Sequence, residues 1–209
     1  MGDEIHGSSE PKPRASRSLR RATELADLRG LADPSGNDEV VLVCCGDGTT
    51  SQGEWWEAIT TATVKKLPVL FLVEDNGFAI SVPSHVQTPG ANIAKAMSGL
   101  PGLKIMDNVD GTDPVASYGA MQEAATHLRA RKGPVLMRAD VTRPYSHSLS
   151  DDHAMYRPAK ELAEERLRDC LTTYPAFLIR EGVATEVELE AIRAEVNLEV
   201  DQAGDDAIK

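Results

Sequence analysis

Three observations in the sequence predict an α/β fold, a mostly parallel sheet flanked by helices. Short apolar runs at Val40 to Cys45, Val69 to Val73, Leu103 to Met106 and Val135 to Val141 are each bounded by turn residues, the mark of buried strands. Stretches with helical spacing lie between several of them, which makes βαβ units. Residues that carry chemistry follow directly on three of the runs: Gly46-Asp47-Gly48 after the first, Asn76 after the second, Arg143 to Asp152 after the fourth. Parallel βαβ units place ligands at the carboxyl ends of their strands, so these three groups converge on one crevice.

Taken in order, residues 1–37 are expected to form a poorly ordered tail and a short helix. Ser8 to Pro13 is polar, and Arg14, Arg17, Arg20 and Arg21 make a small basic cluster. Asp3, Glu4 and Glu10 argue against a mitochondrial transit peptide, which is Arg-rich and poor in acids. Leu25, Leu28 and Leu31 place a helix over 20–32, and Asp33 to Asn37 reads as a turn into the first strand. A helix over Gly53 to Lys66 carries Trp55, Trp56, Ile59, Ala62 and Val64, with the tryptophans as core or interface anchors. Ile93 to Met97 reads as a short helix and Asp107 to Asp113 as a turn-rich connection. Asp113-Pro114 opens a helix running to about Arg131, with Asp as cap and Pro at the first position. From Pro158 the chain reads as acidic helices over Lys160 to Cys170 and Thr185 to Val200. The domain division is therefore 1–37, an α/β domain over 38–158, and a helical extension over 159–209.

Composition limits the function classes. A 209-residue chain that is 41% hydrophobic and 26% charged is long enough to bury a real core. Its net charge of -11 argues against general nucleic-acid binding. No apolar run approaches the roughly 20 residues that span a bilayer. Cys44, Cys45 and Cys170 make no metal-binding spacing; Cys44 and Cys45 are expected as core packing in a buried strand, in keeping with a reducing cytoplasm.

The chemistry of the first two groups is specific. Asp47 offers a hard anionic oxygen and Asn76 a neutral one, a set that suits magnesium shared with substrate phosphates. Gly46 and Gly48 allow close backbone approach, and a helix opening near Ser51 or Gly53 turns its N-terminal amides toward a diphosphate. No Gly-Lys-Ser/Thr follows, so this is not the nucleotide P-loop.

Gly46-Asp47-Gly48, about thirty residues of helix and strand, then Asn76, resembles the thiamine diphosphate motif. The longer string to Ser81, with Glu57-Ala58, Lys66-Leu67-Pro68 and Glu74-Asp75-Asn76-Gly77, is similar to the α subunit of the 2-oxo acid dehydrogenases. The family often has Asn where this chain has Asp75. The string His147-Ser148-Leu149-Ser150-Asp151-Asp152 resembles the loop that is phosphorylated in mitochondrial relatives. Asp151-Asp152 with Tyr156-Arg157 looks more like the branched-chain than the pyruvate subgroup.

That resemblance, spanning roughly 38–200, implies a set of expectations. Thiamine diphosphate and Mg2+ are the cofactors. Asp47, Asn76 and the backbone carbonyl of Phe78 are the metal ligands, and Gly46, Gly48 and Thr49 are cofactor contacts. Arg143 and His147 reach the diphosphate and the channel, His147 in a catalytic role, and Ser148 matches a regulatory serine. The activity is oxidative decarboxylation of a 2-oxo acid, with acyl transfer to lipoyl on an acyltransferase core. A β subunit supplies the rest of the site, including the carboxylate that activates the aminopyrimidine. Family α subunits carry a substantial region before Gly-Asp-Gly, so a fragment, a truncated frame or part of an α–β fusion is expected. Two other classes stay open: a noncatalytic α-like module that docks a partner, and a phosphate-handling enzyme with Asp47 as nucleophile. Transketolase relatives share Gly-Asp-Gly to Asn but not Arg143 to Asp152.

Overall fold

The computed structural model describes residues 14–33 and 38–209. The expectations for residues 1–13 and for the turn at 34–37 lie outside them. Four strands, β1 (Val41–Gly46), β2 (Val69–Asp75), β5 (Lys104–Asp110) and β6 (Val135–Asp140), form one sheet in the order β1-β2-β6-β5. Every pairing in it is parallel, which establishes the α/β class. A two-residue hairpin, β3 (Phe78–Ala79) and β4 (Val82–Pro83), follows β2.

The direction of the connections decides where the helices lie. From β1 the chain moves one place across the sheet to β2 through α2 (Gly53–Val64). It then passes by α3 (Ser84–Gln87) and α4 (Ile93–Met97) to β5 at the far edge. It returns one place to β6 through α5 (Pro114–Arg129). Because parallel crossovers are right-handed, this reversal puts α2 and α5 on opposite faces. The side chains record it with period two: Val69, Phe71 and Val73 enter one core with α1 (Arg14–Leu28), α2 and α4, whereas Leu70, Val135 and Met137 enter the other with Ala124 and Leu128 of α5.

Trp55 is the largest side chain fully buried in the first core, meeting Phe71 edge-on at 5.8 Å. Trp55→Ala is expected to cost about 3–5 kcal/mol, read as a lowered urea midpoint with unchanged slope. Trp56, next in sequence, is 41% exposed.

Four expectations need correction. The first helix begins at Arg14 rather than at residue 20, because Leu19, Ala22 and Ala26 supply the face that packs on α2, while Leu25 points outward. Cys44 is exposed: β1 is an edge strand, adjacent residues point to opposite faces, and only the Cys45 face is covered. Burial, first, and the neighbouring charges push the Cys45 thiol up to about 12, so it stays protonated. The third strand extends through the polar Asp107 to Asp110 by a bulge at Asn108, which takes φ +58. Finally, the C-terminal region has three helices, α6 (Ala159–Arg166), α7 (Cys170–Arg180) and α8 (Glu186–Ile208); α7 carries Pro175 inside it. The helix over Ile93–Met97 and the Asp113 cap, which accepts from the Val115 and Ala116 amides, stand as expected. No helix among the described residues is long and apolar enough to cross a membrane.

Candidate functional site

The site forms where β1 and β2 end side by side, with Gly46 in register with Glu74. The chain leaves β1 as a tight 3-10 turn, Asp47–Ser51, and enters α2 at Gly53. The Thr50 hydroxyl donates to the Asp47 carbonyl at 2.7 Å and locks that turn. Gln52 sits at the N-cap without a side-chain cap bond, leaving the first amides of α2 to other partners. A Cβ on Gly48 would stand 2.7 Å from that of Ala79, so only glycine lets the two strand-end loops approach this closely.

After β2, Asp75 and Asn76 shape the second loop through their own side chains. Asp75 Oδ1 accepts from Gly77 N at 2.9 Å and Asn76 Oδ1 from Phe78 N at 3.1 Å, while Gly77 takes φ +80. Ile80 takes φ +56, a conformation that strains a β-branched residue by about 1–3 kcal/mol. Arg143 donates to the Ile80 carbonyl at 2.8 Å and holds it there, with the Tyr156 hydroxyl oxygen 3.1 Å away.

These loops and His147 enclose one cavity of about 370 Å3, lined by Gly46, Asp47, Gly48, Thr49, Gln52, Asn76, Phe78, Ala79, Ile80 and His147. Seven of the sequence-predicted site residues are among them. Arg143 is not: its guanidinium is committed to Ile80 and Tyr156 and lies over the Phe78 ring at 5.6 Å. Ser148 is exposed, its hydroxyl 3.2 Å from that of Ser150. The His147 loop is tied down by Asp151, which accepts from the His147 amide at 2.8 Å and from the Tyr156 hydroxyl at 2.7 Å. Both bonds hold the Asp151 carboxyl below its usual range. A larger cavity of about 440 Å3, between the start of α5 and α7, holds none of the predicted residues.

Asp47 is the electrostatic centre. It is buried, and burial, followed by the charge of Asp75, raises its pKa to about 6; its own and the Gly48 backbone N–H and the charge of Arg143 pull the other way. Gln87, which sequence reasoning missed, donates to Asp47 Oδ2 at 2.9 Å. Behind the site, Arg138 bridges Asp75, Asp107 and Asp140 at 2.9, 2.6 and 2.6 Å. Neither residue carries a motif; the crossing of a run of carboxylates with one buried cation was the only available hint.

The residues present fit a diphosphate and a divalent cation. Asp47, Asn76 and the Phe78 carbonyl are hard oxygen donors lining one cavity, too few to form a closed cage and therefore suited to a metal that keeps phosphate and water ligands. Among the described residues no group of three or more His, Cys, Asp or Glu stands ready for a metal, so a carboxylate- or thiolate-rich site is not what this crevice offers. The Gly48 approach and the uncapped start of α2 leave room and amide donors for an anion.

Fold and site define a class: a parallel α/β protein with an oxygen-donor crevice at its strand ends. A family model described as the dehydrogenase E1 component matches residues 23–209, and the chain belongs to that family. It is 36% identical over 81% of its length to the 2-oxoisovalerate dehydrogenase subunit alpha of Bacillus subtilis, covering 51% of that protein. It is 36% identical over 80% to the testis-specific mitochondrial pyruvate dehydrogenase E1 component subunit alpha of Homo sapiens, covering 42%. The same identity over 75% relates it to the 3-methyl-2-oxobutanoate dehydrogenase subunit alpha of Mycobacterium tuberculosis, covering 42%. The chain thus spans about half the length of the curated relatives it matches.

Proposed function

We propose that this chain supplies the diphosphate- and metal-binding half of a thiamine diphosphate-dependent 2-oxo acid dehydrogenase, working with a β subunit and a lipoyl acyltransferase core. The observation that carries this reading is the gathering of Asp47, Asn76, Phe78, the Gly46–Thr49 turn and His147 around one cavity. Asp47 and Asn76, with the Phe78 carbonyl, hold Mg2+. The amides of Gly48 and Thr49 and the first turn of α2 face the diphosphate, whose charge they stabilise. Thiamine diphosphate, when bound, supplies the electron sink for loss of carbon dioxide from the 2-oxo acid. Phe78 and Ile80 form an apolar wall of the cavity, and His147, which also lines it, hydrogen-bonds and exchanges a proton on its imidazole. Arg143 acts from behind the wall, through its positive charge and by fixing Ile80. A phosphate on Ser148 would add charge and bulk beside His147.

The α/β domain over 38–158 holds this site, and 159–209 forms the helical extension. Asp151 and Tyr156, which tie down the His147 loop, belong to the string that favours a branched-chain 2-oxo acid. The experiment is calorimetric titration of thiamine diphosphate into the purified chain with magnesium and then with chelator, repeated with a β subunit. Magnesium-dependent uptake supports the half-site; none in either setting leaves a noncatalytic α-like module. Decarboxylation of 3-methyl-2-oxobutanoate against pyruvate by the assembled subunits then tests the substrate.

Asp47 sets the pH dependence. Its folded pKa of about 6 lies above the ordinary carboxylate value, so the apo fold gains from it in acid. That gain is complete below about pH 4 and is lost as pH rises through about 6. Metal binding has the opposite sign because it needs the carboxylate. Magnesium affinity should rise about fivefold from pH 5 to pH 6 and level off above about pH 7, read by titration at each pH.

A further inference from the structure

Gln87 stands at the junction of the two strand-end loops. It ends α3, the helical turn that follows the β3–β4 hairpin bearing Phe78. Its backbone carbonyl accepts from Ser51 Oγ at 3.4 Å, which ties it to the turn that begins at Asp47. Its side-chain amide lies over Gly48, where a Cβ would come within 3.8 Å of its Oε1, and its Nε2 donates to Asp47 Oδ2 at 2.9 Å. Asp47 is 3% exposed, so its carboxylate turns only as far as these partners allow.

A carboxylate has two oxygens, and the way they are shared decides which cation it suits. Calcium takes carboxylates in mono- or bidentate fashion at long distances and high coordination number. Magnesium demands a compact octahedron, one oxygen from each carboxylate, and dehydrates reluctantly. Gln87 takes one lone pair of Oδ2 and fixes that oxygen's direction, so Oδ1 is the oxygen Asp47 offers more readily. The neighbouring donors, the Asn76 amide oxygen and the Phe78 carbonyl, supply one oxygen each.

We propose that Gln87 is a metal-selectivity residue: by occupying Asp47 Oδ2 it keeps the carboxylate monodentate and so favours Mg2+ over the larger Ca2+. The proposal rests on the metal-site reading above and deepens it. Gln87 acts through Asp47 and is a positioning residue. It also couples the loops, because the α3 turn that follows Phe78 is the one that holds the first ligand in place.

The test uses the full chain and Gln87→Met, which keeps the length of the side chain and removes the donor. Thiamine diphosphate is titrated with Mg2+ or Ca2+ in excess, and thermal unfolding of both apo proteins is recorded. Removing the partner of a metal-ligating carboxylate should lower Mg2+-dependent affinity about 10–100-fold. The Ca2+-dependent affinity should fall less or rise, so the Mg2+/Ca2+ preference shifts toward calcium, while the apo unfolding temperature falls by a few degrees for the bond lost at a buried carboxylate. An equal loss with both cations assigns Gln87 a structural role and overturns the selectivity. Unchanged affinities overturn it as well. Asp47→Ala serves as control: if it and the unsubstituted chain bind thiamine diphosphate alike regardless of cation, the metal-site reading itself fails and the inference with it.

Discussion

Asp47→Ala is expected to abolish magnesium-dependent thiamine diphosphate binding while leaving the apo chain folded. The two halves of that result follow from the same burial. Asp47 is 3% exposed, and its pKa near 6 means that at neutral pH the apo fold carries an anion it disfavours. Removing the carboxylate relieves that burden. Against it stands the Gln87 amide, which loses its acceptor at a cost of about 1–3 kcal/mol. The two effects oppose each other, so urea unfolding should show little net change. Binding has no such compensation, because the remaining ligands, the Asn76 amide and the Phe78 carbonyl, are neutral. Asp47→Asn makes the stricter variant: it keeps the shape and the acceptor for Gln87 and removes the charge. A loss of about 100-fold or more in Mg2+-dependent affinity, roughly 2.7 kcal/mol, is expected for it. The measurement is the calorimetric titration with magnesium and with chelator. Magnesium-dependent affinity retained by both variants would sink Asp47 as ligand.

The ends of β1 and β2 were legible in the sequence because each is marked by local pattern. A short apolar run, a Gly-Asp-Gly turn and a second run followed by Asn-Gly place Asp47 and Asn76 side by side once the strands are parallel. The Asp113-Pro114 start of α5 was equally local. What was hidden depends on partners distant in sequence. Polar Asp107 to Asp110 reads as a turn, yet it forms strand and bulge because Arg138, about thirty residues on, supplies the charge those side chains need. No helix is expected between Cys170 and Thr185, yet α7 forms there and runs through Pro175, which removes a donor. Cys44 reads as core, and only the position of β1 at the sheet edge shows otherwise. Gln87 reads as a loop residue, and its contact with Asp47 spans forty positions. Arg143 matched its motif by position, but the structure spends its donors on Ile80 and Tyr156.

The second large effect is expected at Arg138, a residue 8% exposed beneath the crevice. Its Nε donates to Asp107, its Nη1 to Asp75 and Asp140, and its Nη2 to Asn108 and Asp140, so one cation ties the ends of β2, β5 and β6 together. Burial works against the charge of Arg138, but the three carboxylates overcome it and push its pKa up. Asp107 shows the reciprocal effect: burial opposes its ionisation, and bonds from Arg138, the Asn108 amide and Asn92 overcome that and hold it below the ordinary range. Arg138→Met fills similar space but leaves three carboxylates facing one another. Breaking a buried pair from one side costs about 3–5 kcal/mol, far more than the net worth of the pair, because the partner charges stay behind. The loss should be largest near neutral pH. In the variant Asp107 loses the Arg138 bond that helps hold it below the ordinary range, the carboxylates repel one another, and the penalty grows as pH increases. It should shrink as pH falls toward about 4, where they protonate. Urea unfolding of both chains across that range reads the difference directly. Adding Asp75→Asn to Arg138→Met removes one stranded charge and keeps an acceptor for Gly77 N, so the double variant should recover part of the stability lost by the single one. A double variant no more stable than Arg138→Met would mean that Arg138 contributes through packing between the strands and not by neutralising Asp75.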